Sequence, residues 1–128
     1  MELFTKAQFE QLIANGRNRD QDHPPVVKLF TPDAQCTWLV SEIDPDENDL
    51  AFGLCDLGMG YPELGYIDLI EIRAVRGQLG LRVERDFSFT GKYPMSVYAE
   101  AARRAEHIVA DKTSLEQAVA SLATRKAS

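Results

Sequence analysis

Residues 36–67, CTWLVSEIDPDENDLAFGLCDLGMGYPELGYI, contain three apolar runs separated by turn-forming residues. Short runs of β-branched and aromatic residues that are bounded by Pro, Asp, Asn and Gly are typical of strands. The runs at 36–43 and 50–57 are joined by the loop DPDEND, and a glycine-rich loop leads to the run at 63–67. The stretch therefore predicts three consecutive strands, of which the first two form an antiparallel hairpin.

The pairing of this hairpin predicts which side chains share a face of the sheet. If the loop places Ile43 opposite Leu50, side chains alternate between the two faces along each strand. One face then receives Cys36, Trp38, Val40, Ala51, Gly53, Cys55 and Leu57. The other receives Thr37, Leu39, Ile43, Leu50, Phe52, Leu54 and Asp56. Because both sets are largely apolar, we expect the sheet to be covered on both sides.

A helix and a strand are predicted before this stretch. Thr5 and Gln8 have the spacing of a capping box, which satisfies free backbone N–H groups at a helix start. The helix is expected over residues 5–15, and Gly16 ends it. Residues 26–30, VVKLF, are β-branched and aromatic enough to form a strand.

Helices dominate the chain after this stretch. Asp68 has the position of a cap for a short helix that ends at Gly77, and residues 81–89 alternate as a further strand. Ser96 and Thr113 are expected to cap two C-terminal helices. The element order predicts an α+β fold: a mainly antiparallel sheet of about five strands, with an N-terminal helix, one inserted helix and C-terminal helices packed on it.

The composition suits one soluble domain. The chain has 128 residues, of which 45% are hydrophobic and 27% charged. We expect residues 1–112 to form a single α+β domain and residues 113–128 a C-terminal helix with a frayed tail. No apolar run approaches the roughly 20 residues that span a membrane, and the start MELFTK lacks the pattern of a secretory signal. Cys36 and Cys55 are outside any C-x-x-C spacing, which favours reduced thiols in a cytoplasmic protein.

Charge is distributed unevenly along the chain. The net charge is −6, yet between Lys28 and Arg73 there are ten acidic residues and no Lys, Arg or His. An acidic middle favours a protein partner that is basic or DNA-binding, and it opposes direct binding to nucleic acid. A purely solubilising role of these acids is the alternative.

A candidate site lies in residues 52–66, which hold four of the eight glycines. Asp56 ends one strand and Glu63 begins the next, so a hairpin would bring the two carboxylates together to share a divalent cation. The alternative is that Asp56 caps backbone N–H groups and Glu63 is solvated. The candidate binding residues are Asp56, Gly58, Gly60, Tyr61, Glu63 and Tyr66, with the loop acids Asp44, Asp46, Glu47 and Asp49.

Other chemistry is not supported by the motifs. Asp44, Asp46 and Asn48 imitate the start of a calcium loop, but Asp49 occupies the glycine position and Cys55 the bidentate position. His23 and His107 have no recognisable catalytic partner. We therefore predict no catalytic residue, no metal-ligand set and no cofactor. A weak nucleic-acid site is a further alternative, formed by the arginines Arg73, Arg76, Arg82, Arg85, Arg103 and Arg104.

The sequence resembles a bacterial family labelled domain of unknown function 2958. The resemblance is carried by PVVKLF (25–30), TWL (37–39), EIDPD (42–46), the run 52–69, and AVRG (74–77) through Asp86. It implies no catalytic residues. Family members are associated with plasmids and integrative conjugative elements, often beside anti-restriction genes.

The resemblance and the charge pattern together suggest a function. The leading hypothesis is a non-enzymatic accessory or binding protein of a mobile genetic element. It would engage a protein partner through its acidic face, with nucleic-acid mimicry in an anti-restriction role as a narrower form. The alternatives are a divalent-metal hydrolase that uses Asp56 and Glu63, and the weak nucleic-acid binder described above.

Overall fold

Five antiparallel strands form the central sheet of the computed structural model, which describes residues 2–127. The strands are β1 (Val27–Phe30), β2 (Thr37–Ile43), β3 (Leu50–Asp56), β4 (Glu63–Asp68) and β5 (Glu84–Arg85). They lie in the order β4-β3-β2-β1-β5, so β4 and the short β5 are the two edges. Met1 and Ser128, the ends of the expected domain and of the expected frayed tail, lie outside the described residues.

Four helices accompany the sheet, which confirms the predicted α+β fold. They are α1 (Lys6–Gly16), α2 (Leu69–Ala74), α3 (Met95–Ala105) and α4 (Lys112–Ala127). Over residues 2–127, none of the helices combines the length and the apolar character that a membrane crossing requires.

Helix α1 begins and packs as its sequence indicates. The predicted capping box is present: the Gln8 N–H donates to Thr5 Oγ1 at 3.1 Å, and the Thr5 N–H donates to Gln8 Oε1 at 2.9 Å. At its other end, Gly16 lies so close to β2 that a Cβ there would overlap the carbonyl oxygen of Ile43. The helix is therefore tightly apposed to the sheet.

Two apolar cores cover the two faces of the sheet, as the alternation predicts. Trp38 and Val40 belong to the first core, which α1 and α2 cover. Leu39 and Leu54 belong to the second, which α3 and α4 cover through Tyr98 and other residues. Neighbouring residues of β2 thus point into different cores, and the sheet is buried on both sides.

The predicted register of the hairpin is correct at one end and wrong at the other. Leu39 pairs with Leu54 as expected, but the register shifts at Ser41, and Ile43 pairs with Ala51 instead of the preceding residue. A β-bulge adds one residue to one strand and so changes the face of every residue beyond it. Ile43 is therefore buried in the first core instead of the second.

The predicted strand 81–89 is reduced to the two residues of β5. A turn at Asp86 ends the strand: its Oδ1 accepts the Ser88 N–H at 2.9 Å, and its backbone oxygen accepts the Phe89 N–H at 3.3 Å. Phe87, one of the apolar residues in the predicted alternation, is 75% exposed. The alternation of the sequence continues past the point where backbone pairing stops.

The N-terminus of α3 is capped from elsewhere in the chain. Pro94 is the N-cap and Ser96 lies one residue inside the helix, so Ser96 is not the cap. Instead Asp22 accepts hydrogen bonds from the Ser96 N–H at 3.1 Å and from the Ser96 hydroxyl. The helix ends at Ala105, because Glu106 has a left-handed φ of 66°.

A buried carboxylate joins α3 to α4. Glu100 accepts Arg103 Nε at 3.1 Å and Nη2 at 3.0 Å, Ser121 Oγ at 2.8 Å and Arg125 Nη2 at 2.6 Å. The Arg103 bond, followed by those of Ser121 and Arg125, lowers the pKa of Glu100 to about 2 although burial opposes the shift. These bonds fix the angle between the two C-terminal helices.

Candidate functional site

Asp56 is a buried structural residue at the end of β3. Its Oδ1 accepts the Gly58 N–H at 2.9 Å, and its Oδ2 accepts the Ile108 N–H at 2.9 Å. Gly58 and Gly60 have φ of 79° and 87°, the left-handed region that glycine tolerates best. Asp56 thus holds the glycine turn and ties β3 to the segment between α3 and α4.

Glu63 is exposed and faces away from Asp56. It pairs across the sheet with Cys55, which packs on the first core, whereas Asp56 bonds Ile108 on the opposite face. The expectation that the hairpin brings the two carboxylates together is therefore wrong, because adjacent strand residues point to opposite faces. Among the described residues, no three His, Cys, Asp or Glu side chains lie close enough together to hold a metal ion.

The two cysteines are unpaired thiols on the first core. Cys36 and Cys55 are both half-buried and contribute to its edge. Burial is the main cause that raises the pKa of each thiol, and nearby Asp56 and Glu63 respectively raise them further. A raised pKa keeps a thiol protonated at neutral pH, so both behave as small apolar groups.

The acidic loop 44–49 is a turn with exposed carboxylates. Asp44 Oδ1 accepts the backbone N–H groups of Asp46 at 2.8 Å and Glu47 at 3.3 Å, which shapes the loop. Asp46, Glu47 and Asp49 are exposed, and Asp49 pairs with Arg73 of α2 at 3.4 Å. The loop thus presents negative charge to solvent without forming a calcium site.

Exposed apolar side chains gather along β4 and the loop before it. Within the described residues β4 pairs on one side only, with β3, so its other side is a free edge. Tyr66 is 62% exposed and its ring packs edge-on against Phe52, with centroids 5.8 Å apart. The exposed apolar residues here are Leu57, Met59, Tyr61, Leu64, Tyr66 and Ile70. We call β4 with these residues the β4 edge.

The predicted binding residues flank the β4 edge in two groups. Leu50 pairs with Asp68, so the loop 44–49 lies at the C-terminal end of β4. Glu63 and the glycine loop lie at the other end. Apart from the buried Asp56, the predicted residues therefore lie in or beside the β4 edge, with acidic groups at both of its ends.

A hollow beside the β4 edge contains residues that the sequence did not reveal. It has a volume of about 140 Å³, and Arg19, His23, Glu42, Phe52 and Leu64 line it. Glu42 is 9% exposed, and its carboxylate accepts no hydrogen bond from residues 2–127, although neither oxygen is fully enclosed and water can reach the group. Burial raises its pKa, although the charges of His23 and Arg19 act in the opposite direction. In the sequence, the one signal of this hollow was Glu42 itself, a charged residue inside the apolar strand β2.

Arg19 connects this hollow to the β4 edge. Its Nη2 donates to the Tyr66 hydroxyl at 2.6 Å, and its guanidinium lies 5.8 Å from the centre of the same ring. Arg19 and Phe52, which are far apart in sequence, thus both contact the exposed ring of Tyr66 and hold it in place.

Within residues 2–127, four of the six arginines that the sequence grouped as a basic patch have intramolecular acceptors, among them Arg85, which donates to the backbone oxygen of Glu2 at 3.2 Å. Arg73 bonds Asp49, Arg76 bonds the backbone oxygens of Arg73 and Val75, and Arg103 bonds Glu100. The carboxylates neutralise the charge of Arg73 and Arg103, and the backbone oxygens occupy donors of Arg76. These arginines are therefore less available to bind the phosphates of a nucleic acid.

Comparison with known proteins gives one match. A family model described as "Protein of unknown function (DUF2958)" matches residues 3–109. No curated protein and no solved structure was found to match the chain. The matched region includes the whole sheet, α1 to α3 and the β4 edge.

Proposed function

The chain belongs to the DUF2958 family of proteins of unknown function. We propose that it is a non-enzymatic binding module, and that its β4 edge receives a basic, extended segment of a protein partner. The setting we propose is the accessory gene set of a plasmid or an integrative conjugative element.

The free edge of β4 is the observation that carries this proposal. A six-residue edge strand offers unpaired backbone N–H and C=O groups to an added strand. Leu64 and Tyr66 are exposed on the same face of β4 and offer apolar contacts to the added strand. Gly65, between them, has no atom within 4 Å of where a Cβ would stand. A partner side chain can therefore occupy that space on the other face.

The charges at the two ends of β4 define the chemistry of the partner. Glu63 lies at one end, and Asp68 with the exposed acids of the loop 44–49 lies at the other. A second copy of β4 paired antiparallel would bring the acidic end of one copy, at Glu63, beside the acidic end of the other, at Asp68, and juxtaposed like charges oppose association. A partner with Lys or Arg at both ends of an extended segment fits better.

Glu42 gives independent support for a basic partner. Its carboxylate accepts no hydrogen bond within the described residues and is open to solvent in the hollow, while the Arg19 guanidinium donates to Tyr66. An ammonium group of the partner that entered the hollow would supply a donor.

The same acidic ends support a narrower form of the proposal. Carboxylates can imitate nucleic-acid phosphates, so the partner would be a DNA-binding protein with a basic groove, as in an anti-restriction role. This form also depends on the acids, but it does not require pairing along β4.

Selection from a library of random peptides tests the proposal. We expect the selected peptides to alternate apolar and polar residues and to carry Lys or Arg at both ends, and their affinity to fall as salt rises. Tyr66→Ser should weaken their binding by about tenfold, as loss of an aromatic anchor does. Phe87→Ser is the matched control, because Phe87 is equally exposed but lies beyond β5 at the opposite edge. Equal effects of the two variants would contradict the proposed site.

A further inference from the structure

A second cavity lies on the second-core face of the sheet, toward the edge opposite β4. Its volume is about 520 Å³, within the range of roughly 300–1,000 Å³ typical of small-molecule sites. Lys28 of β1, the segment 86–93 and the first turn of α4 form its walls. Because β1 lies three strands away from β4, this cavity is separate from the proposed peptide site.

Three packed aromatic rings form the apolar part of this cavity. Tyr98 is 1% exposed, and the ring centres of Phe89 and Tyr93 lie 6.0 Å and 6.4 Å from its own. Phe89 and Tyr93 are partly exposed, so their rings rest on a fixed base and remain accessible. Such rings are suited to contact a planar aromatic ligand.

Two hydrogen-bond donors in the polar part of this cavity, on Tyr98 and Lys92, have no acceptor among the described residues. The Tyr98 hydroxyl accepts the Lys92 N–H at 3.1 Å, and within residues 2–127 its own proton has no acceptor. A hydroxyl can donate and accept at once, so this buried group has a donor left for a ligand. The Lys92 side chain is exposed and forms no ion pair with the described residues. A ligand that supplies acceptors would satisfy both groups.

The charge of the cavity is positive although the protein is acidic. Lys28, Lys92 and Lys112 line it, and among the described residues Asp86 is the one carboxylate that does so. Asp86 remains ionised, because its bonds to Ser88 and then its pairing with Lys28 at 3.5 Å lower its pKa. Lys112 Nζ lies 3.7 Å from Oε1 of Glu116 on the same helix. Both side chains are exposed, so this ion pair is weak. The lining therefore has an excess of about two positive charges, which matches the −1.5 to −2 of a phosphate monoester at neutral pH.

We infer that this cavity binds a small aromatic phosphate monoester, with its ring against Phe89 and Tyr93 and its phosphate facing Lys28, Lys92 and the Tyr98 hydroxyl. The inference concerns binding alone and does not depend on the proposed peptide site. It accounts for the aromatic surface, the unused donors and the local positive charge together.

Calorimetric titration with AMP and phenyl phosphate tests the inference. We expect saturable binding of at least one of them, and binding at least about tenfold weaker for adenosine, which lacks the phosphate, and for inorganic phosphate, which lacks the ring. No binding of either probe at millimolar concentration would overturn the inference. Equal binding of inorganic phosphate would overturn the role of the rings.

Variants locate the site and separate it from nonspecific charge. Lys92→Gln and Tyr98→Phe should each weaken probe binding by about tenfold, because each removes a donor to an anion. Lys6→Gln, an exposed lysine on α1, is the matched control and should leave affinity unchanged. Circular dichroism melts should show that all three variants fold. If Lys6→Gln weakened binding as much as Lys92→Gln did, the inferred location would be wrong.

Discussion

Glu63 and Asp56 stand on either side of the glycine loop but on opposite faces of the sheet, because Glu63 pairs with Cys55. The sequence distance between them suggested a shared cation, whereas the structure gives them unrelated roles. Asp56 holds backbone N–H groups, and Glu63 contributes charge to one end of the β4 edge.

The two carboxylates should therefore respond differently to neutralisation. Asp56→Asn should lower the free energy of unfolding by about 2 kcal/mol, because one amide oxygen cannot accept both N–H groups as the carboxylate does. Glu63→Gln should change it by less than about 0.5 kcal/mol, as exposed substitutions do. Urea unfolding of both variants measures this difference. Similar losses for the two would contradict the separation, as would saturable Mg²⁺, Mn²⁺ or Ca²⁺ binding that both variants abolish.

Trp38 should be a main contributor to the first core. It is buried where α1 crosses the sheet, so Trp38→Ala should cost about 3–5 kcal/mol through lost contacts and a cavity. Denaturant unfolding measures this cost, with Phe87→Ala as an exposed aromatic control that should cost less than about 0.5 kcal/mol. A loss below about 1 kcal/mol for Trp38→Ala would indicate that this core is not packed as described.

Glu42 should make the protein less stable as the pH rises. Burial raises its pKa in the folded state above its ordinary value of 4.5, so folding favours the protonated form. This contribution is complete below pH 4.5 and is lost as the pH rises through the raised pKa. Glu42→Gln, which is neutral at every pH, should gain stability relative to the unsubstituted protein as the pH rises. Melting temperatures from about pH 4, where the carboxyl is largely protonated, to about pH 8 measure the effect. A constant difference would show that Glu42 does not titrate abnormally.

Glu100 should have the opposite pH dependence. Its hydrogen bonds, the Arg103 bond first, lower its folded pKa to about 2 from the ordinary value of 4.5, so its contribution to stability is present above pH 4.5 and is lost as the pH falls toward 2. Glu100→Gln should be less stable at neutral pH, by about 2 kcal/mol, because the charged bonds to Arg103 and Arg125 become neutral. Acid unfolding followed by circular dichroism should then be shallower in this variant. An unchanged acid transition would mean that other groups cause it.

Local signals in the sequence predicted most of the fold. Thr5 and Gln8 determine the start of α1, and the loop DPDEND sets the pairing of β2 with β3. The predicted pairing of β2 with β3 is wrong only beyond Ser41, where the bulge lies. The backbone oxygen of Ser41 accepts a hydrogen bond from Asn15 Nδ2 of α1 at 2.9 Å. A bulge that is stabilised by a helix 26 residues earlier has no local signal.

The candidate site was predicted less completely, for the same reason. The glycines, tyrosines and acids of the β4 edge are close in sequence and were identified as a group. The hollow is formed by Arg19, Glu42 and Phe52, which come together only when α1 and the sheet pack. Asp56 was included in the site because sequence spacing does not indicate the face to which a strand-end residue points.

Hydrogen exchange of the β4 amides, with and without a selected basic peptide, tests the central claim most directly. The account predicts that the free-edge amides of β4 become protected when the peptide binds, that amides of β5 do not change, and that Tyr66→Ser removes the protection. Binding that protects amides elsewhere and leaves β4 unchanged would contradict it.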